Sequence, residues 1–285
     1  MTTNPLAALP ELAITELHAG GGTPVVLLHP FPLDSRAWGP MAKELDWGVR
    51  AIAVDLPGFG KSYVRGLAPS IDLAADAVYQ SLINHGVGNA IVVGWSFGGY
   101  VALALAERHP SFVVGLGLVC SKASADPPKQ QENRRRIARD LEIQQSLQPI
   151  SPWLSQAVGT TTLAQRRQLI PTVEGWLQSQ HPMGVAWAQK AMARRPDRKQ
   201  VVFNFPGPFA VVSGLEDKLV PDGEAEELAK GARNGAHTVI PGVDHLAPLE
   251  EPKAVARAIS LLHAQVVPHV NAPSRTTRLR KAFRA

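Results

Sequence analysis

Six short apolar runs constrain the fold most: Pro24 to His29, Val49 to Asp55, Ala90 to Trp95, Phe112 to Cys120, Phe209 to Ser213 and Ala236 to Ile240. They lack the regular polar alternation of a half-exposed strand, so they suit strands buried on both faces, as in a parallel sheet covered by helices. Helical patterns separate them at Arg36 to Leu45, Ile71 to His85, Phe97 to Arg108, Pro221 to Lys230 and Pro252 to His263. Strand–helix alternation of this kind means an α/β sheet. Leu12 to His18, followed by Gly20, Gly21 and Gly22, reads as an added strand ending in a turn.

The alternation stops between Ser121 and Gln200. Lys129 to Leu147 is the clearest helix there, and Pro149, Pro152, Pro171 and Pro182 cut the remainder into shorter pieces. An all-helical insert between two strands is expected to be a lid over the carboxyl edge of the sheet, where ligands of open α/β folds bind. The expected organisation is therefore a core of residues 1–120 and 201–270, a helical lid of 121–200, and a basic, disordered tail of 271–285.

The 285 residues are 45% hydrophobic and include a single cysteine, Cys120, so stability must come from a buried core rather than disulfides. No apolar run approaches the ~18 residues of a membrane span, and Met1 to Pro10 lacks the cationic start and hydrophobic stretch of a signal peptide. A cytoplasmic protein with no membrane partner is the expectation.

The formal charge of +5 is unevenly placed. Residues 1–120 carry −3, 121–200 carry +7, 201–270 carry −4, and 271–285 carry +5. The tail thus equals the whole surplus. Its five positive charges could give weak, salt-sensitive binding, but no recognition fold accompanies them, so no specific nucleic-acid partner is expected. The basic insert over an acidic core reads mainly as solvated faces and ion pairs. The competing reading is that Arg134, Arg135, Arg136, Arg139, Arg194, Arg195 or Arg198 guides a substrate bearing a carboxylate.

The chemistry concentrates at Gly94-Trp95-Ser96-Phe97-Gly98-Gly99, which follows one strand pattern and opens a helix. This is G-x-S-x-G in the strand–turn–helix context that lifts a serine hydroxyl above a sheet. A serine hydroxyl attacks only with a base, and the base needs an orienting carboxylate. Asp217 lies in the loop after Phe209 to Ser213, and His245 in the loop after Ala236 to Ile240. Adjacent parallel strands bring these loops together, so Ser96, Asp217 and His245 are the catalytic candidates. Glu216, Asp222 and Asp126 also lie near strand ends as competitors for the acid, and Asp244 is a neighbour of the histidine in sequence only.

A tetrahedral intermediate needs two oxyanion donors. The amide of Phe97 supplies one, and His29-Pro30-Phe31-Pro32 supplies the other through Phe31, because neither proline has an amide hydrogen. Trp95, Trp153 and Trp187 are the pocket candidates. No metal site is supported, since no C-x-x-C or H-E-x-x-H occurs.

These motifs, with Asp55 to Ser62 and Gly242 to His245 through Glu251-Pro252, resemble the α/β-hydrolase fold family over Leu12 to His263. The similarity is greatest to its branch of small esterases, haloperoxidase-like perhydrolases, enol-lactonases and C–C hydrolases. It departs from the usual His-Gly of the oxyanion loop, which is His29-Pro30 here. The resemblance implies an eight-stranded, mostly parallel sheet with helices on both faces and a helical lid inserted between strands. The expected activity is that of a cofactor-free serine hydrolase cleaving carboxylic esters of small or medium acyl groups through an acyl-enzyme. The same triad could instead serve C–C hydrolysis, lactone opening, perhydrolysis or lyase chemistry. A non-enzymatic binder of a ligand or acidic partner is the alternative from another class.

Overall fold

The structure is a computed structural model and describes residues 9–64 and 66–266. The basic run at 271–285 lies outside the described residues. In chain order the core comprises β1 (Ile14–His18), β2 (Gly20–Leu28), α1 (Gly39–Ala42), β3 (Gly48–Val54), α2 (Ile71–Asn84), β4 (Ala90–Trp95), α3 (Phe97–Arg108) and β5 (Val113–Val119). Helices α4 (Pro128–Gln144), α5 (Trp153–Ala157), α6 (Thr160–Gln165), α7 (Leu169–Gln178), α8 (Pro182–Arg194) and α9 (Lys199–Asn204) follow without an intervening strand. The chain then returns through β6 (Phe209–Gly214), α10 (Glu224–Gly231), β7 (Gly235–Ile240), α11 (Ala247–Glu250) and α12 (Pro252–Val266).

The strands form one sheet in the order β1-β3-β2-β4-β5-β6-β7. β1 runs antiparallel to β3, and every other pair is parallel. The sheet has seven strands among the described residues, which corrects the eight that the family resemblance implied. The three glycines after His18 are not a turn but the start of β2, where Gly20 pairs with Gly48. The helix expected over Arg36 to Leu45 is a 3-10 turn, Ser35–Trp38, and the single turn of α1, because Gly39-Pro40 interrupts the run.

Both faces of the sheet are covered. A Cβ on Gly117 of β5 would meet Leu262 of α12, whereas the next side chain, Leu118, packs toward Gly99 of α3. Successive strand residues point to opposite faces, so α12 and α3 lie on opposite sides. Val25 to Leu28 and Ile91 to Val93 are essentially inaccessible, which explains their unbroken apolar character. Strand order reverses at β2: the chain passes from it to β3 on one side and later to β4 on the other. The crevice at such a reversal is where open α/β sheets bind ligands.

Candidate active site

Four segments converge at the carboxyl ends of the strands. The first is the turn between β4 and α3. Ser96 has φ 52° and ψ −111°, a conformation that L-residues rarely adopt, and sits one residue before α3. The turn can form because glycine follows: a Cβ on Gly98 would collide with the carbonyl of Leu28 on the neighbouring β2. The Ser121 hydroxyl donates to the Ser96 carbonyl at 2.8 Å and holds the turn from the β5 side.

The loops after β6 and β7 are laced together. Leu215 donates its amide to the Ile240 carbonyl at 2.9 Å and Glu216 donates to Val243 at 2.8 Å. Gly214 permits this approach, since a Cβ there would strike the carbonyls of Val243 and Asp244. Asp217 consequently lies behind His245, with its Oδ2 3.0 Å from the ring Nδ1. The opposite ring nitrogen, Nε2, is 2.8 Å from the Ser96 hydroxyl. The other Asp217 oxygen accepts the amides of Leu219 at 2.8 Å and Val220 at 3.3 Å. The three residues named from sequence are thus joined in one chain of hydrogen bonds.

The electrostatics follow from these contacts. Burial alone would raise the Asp217 pKa and lower that of His245, but each partner's charge and their shared hydrogen bond reverse both effects. Asp217 lies below the ordinary carboxylate value and His245 above the ordinary imidazole value. The arrangement can take the Ser96 proton onto a histidine whose positive form is stabilised from behind. Cys120, at the end of β5, is buried, and burial pushes its thiol well upward, as expected for an inert thiol.

His29, which the sequence marked only as a strand end, ties together the loops that follow β2 and β3. It is fully buried, its Nδ1 donates to the Pro30 carbonyl at 3.0 Å, and its Nε2 accepts the Leu56 amide at 2.9 Å. These two bonds fix one neutral tautomer, and burial lowers its pKa accordingly. The ring therefore buttresses the loop carrying Phe31, which lines the cavity beside Ser96 and His245. Among the described residues, no acceptor is bonded to the amide N–H of Phe31 or of Phe97.

The cavity above Ser96 has a volume of about 300 Å³. Of the three tryptophans expected in its wall, only Trp153 lines it. Trp95 is fully buried, stacks edge-on against Trp38 with centroids 5.5 Å apart, and donates its indole N–H to the His245 carbonyl at 2.9 Å. Trp187 donates to the Leu67 carbonyl at 2.8 Å and is also absent from the wall. Both are corrected from pocket residues to packing residues: their rings fill the core, and each N–H is used on backbone.

Another unexpected participant is Glu250. It is buried, accepts the Asp244 amide at 2.9 Å, and accepts the hydroxyl of Thr162, on α6, at 2.5 Å. Burial raises its pKa to about 7. Burial, with the charge of Asp217, raises Asp244 to about 6. Glu216 bonds Thr161 of the same helix, and Arg166 just beyond it bonds Glu251 and the Gly242 carbonyl. Only the Glu–Pro following the histidine hinted at this acidic cluster in the sequence.

The pattern described as the alpha/beta hydrolase family matches residues 25–258. A pimeloyl-[acyl-carrier protein] methyl ester esterase of Yersinia enterocolitica is 28% identical over 250 residues, covering 84% of this chain and 92% of that protein. A thermophilic esterase from Thermogutta terrifontis, solved with malate bound, superposes with a TM-score of 0.86 at 32% identity, covering 93% of this chain and 97% of that one. The enol-lactonase from Burkholderia xenovorans shares the fold with a TM-score of 0.78 at 19% identity, over 89% of this chain and 96% of its own. With its matched span, its sheet and the esterase likeness all in agreement, the chain belongs to the alpha/beta hydrolase family.

Proposed function

We propose that the protein is a serine hydrolase of carboxylic esters, with Ser96 as nucleophile, His245 as general base and acid, and Asp217 as the group that orients and charges the imidazole. The observation that carries this reading is the hydrogen-bonded chain from Asp217 through His245 to Ser96, with Ser96 and His245 both on the wall of one cavity. Ser96 attacks the ester carbonyl while its proton passes to His245 Nε2. The tetrahedral oxyanion is held by the amides of Phe31 and Phe97. Collapse expels the alcohol, which takes the proton from His245, and leaves an acyl-serine. Water, deprotonated by the same nitrogen, then releases the acid and restores Ser96.

The helices between β5 and β6, Pro128–Gln144 through Lys199–Asn204, act in this reading as a lid, with residues 121–200 forming a unit over the core of 1–120 and 201–270. Contributions of Trp153, Ile150 and Ile137 to the cavity wall support that role and favour a small or medium acyl group. The esterase names of the Yersinia and Thermogutta relatives support ester cleavage over C–C or lactone chemistry. A cytoplasmic location accords with the reduced state expected of the single Cys120; among the described residues no helix is long and apolar enough to cross a membrane.

The test is titration with a serine-reactive phosphonate followed by peptide mapping, alongside a panel of p-nitrophenyl esters, lactones and vinylogous diketones. Stoichiometric labelling of Ser96 with fastest turnover on esters is expected. Labelling elsewhere would overturn the nucleophile assignment, and turnover confined to another substrate class would overturn the ester reading.

A further inference from the structure

Behind the cavity lies a cluster of charges that the catalytic chain does not use. Asp126 has a fully buried carboxylate and faces three cations. Lys122 Nζ is 3.0 Å from Oδ1, Arg134 Nε is 2.6 Å from Oδ2, and Arg195 reaches both oxygens at 2.7 and 2.8 Å. The nearby acid Glu224 is committed to the amides of Ala123 and Ser124 and the Ser124 hydroxyl. Even counting it, three positive charges meet two negative ones in a largely buried setting. An excess charge withdrawn from water is costly until an anion completes it.

The three cations are not equivalent. Arg195 is engaged away from the cavity: it bonds the Met192 and Ser124 carbonyls and lies over the Tyr100 ring, 3.9 Å from its centroid, with only its buried Nε unpartnered among the described residues. Lys122 and Arg134 instead line the same cavity as Ser96 and His245. An ammonium has three donors, and the ion pair with Asp126 is the one polar contact Lys122 makes among the described residues. Arg134 commits Nε to Asp126 and Nη1 to Gln189, and among the described residues no acceptor is bonded to its Nη2.

Resting on the ester hydrolase reading above, we propose that Lys122 and Arg134 form an anion subsite that selects esters carrying a second, ionised carboxylate. Asp126 holds the two cationic heads in place, and the substrate carboxylate takes their remaining donors while its ester end lies at Ser96. A cavity of about 300 Å³ lined by Ser96 and by both cations suits a half-ester of a small dicarboxylic acid. The positive charge of the insert thus acts through two particular side chains rather than as a diffuse field.

The experiment compares kcat/KM for the monoethyl ester of glutaric acid with that for ethyl valerate, its neutral counterpart, at constant ionic strength. The wild-type chain is expected to prefer the half-ester by about 10-fold or more, as charge-assisted hydrogen bonds to a partly buried carboxylate allow. Lys122→Met and Arg134→Met are each expected to cut that preference about 5-fold or more, chiefly through KM. Arg139→Gln, which removes an exposed charge outside the cavity, is expected to leave it intact. Absence of the preference, its survival in both methionine variants, or an equal loss in Arg139→Gln would overturn the subsite.

Calorimetry of glutarate against glutaramide on the wild-type chain needs neither turnover nor a variant. Glutarate binding about 10-fold tighter sustains the subsite even if no ester is cleaved or a methionine variant fails to fold, and equal or absent binding overturns it. Failure of turnover on both esters counts against the hydrolase reading alone.

Discussion

Trp95 holds His245 by its backbone: the indole N–H of the residue preceding Ser96 donates to the histidine carbonyl at 2.9 Å. The side chain next to the nucleophile thus fixes the height of the base while leaving both imidazole nitrogens free for Ser96 and Asp217. Trp95→Phe keeps an aromatic ring and leaves a buried carbonyl without its donor. A loss of about 1–3 kcal/mol in stability is expected. A fall in kcat with little change in KM should accompany it. Urea unfolding and steady-state kinetics on the same preparation check both.

The backbone at Ser96 stores strain, because φ 52° and ψ −111° are kept at a non-glycine residue. Such outliers cost about 1–3 kcal/mol, of which glycine's greater freedom when unfolded cancels roughly 0.5–1. Ser96→Gly should therefore be more stable than Ser96→Ala by about 1 kcal/mol, although both lack the nucleophile. Denaturant midpoints with equal m-values would establish the order, and an alanine variant as stable as the glycine one would refute it.

Asp217 acts through His245, and its removal should change a pH profile as well as a rate. The base works when neutral, and its pKa is raised, so the acid limb of kcat/KM should have its midpoint above the ordinary imidazole value of 6.5. Asp217→Asn removes the charge and the tautomer control together. It should move that midpoint downward and lower kcat by roughly 10³–10⁴-fold. Profiles measured between pH 5 and about 9 decide it.

Glu250 links stability to pH with the opposite sign to an ordinary ion-paired carboxylate. Its pKa rises from 4.5 to about 7 in the folded protein, so the folded state holds more protons across that interval. Stability from this group is fully present below the unfolded value and is lost as pH rises through about 7, by on the order of 3 kcal/mol. Glu250→Gln should flatten the decline between acidic and alkaline pH. Asp244, raised to about 6, keeps part of it. Urea titrations at several pH values would show an unchanged slope if Glu250 were not responsible.

Backbone-determined features were legible in the residues, and features set by side-chain direction were not. Gly94-Trp95-Ser96-Phe97-Gly98 located the turn because its glycines are demanded by close approach, as the Leu28 carbonyl against Gly98 shows. Asp217 and His245 were found because parallel strands deliver their following loops to one edge. Trp95 misled because a strand buried along its whole length has no polar alternation to tell the cavity side from the core side. Lys122 entered only as part of the net charge of residues 121–200, yet its side chain is 5% exposed; only the spacing of Lys122 and Asp126 hinted at a pair. His29 and Glu250 escaped because each is tied to a distant part of the chain, His29 to the Leu56 amide and Glu250 to the Thr162 hydroxyl.

The threonines of α6, tied to Glu216 and Glu250, bear on how this protein could be re-engineered. The helical stretch between β5 and β6 invites replacement as a cassette from a relative. Yet one of its helices bonds carboxylates beside both catalytic loops, Glu216 next to Asp217 and Glu250 in the helix after His245, and a graft without Thr161 and Thr162 would leave them to find other donors. Exchange of specificity in this scaffold therefore requires recombination breakpoints that carry residues 216 and 242–251 along with the helices.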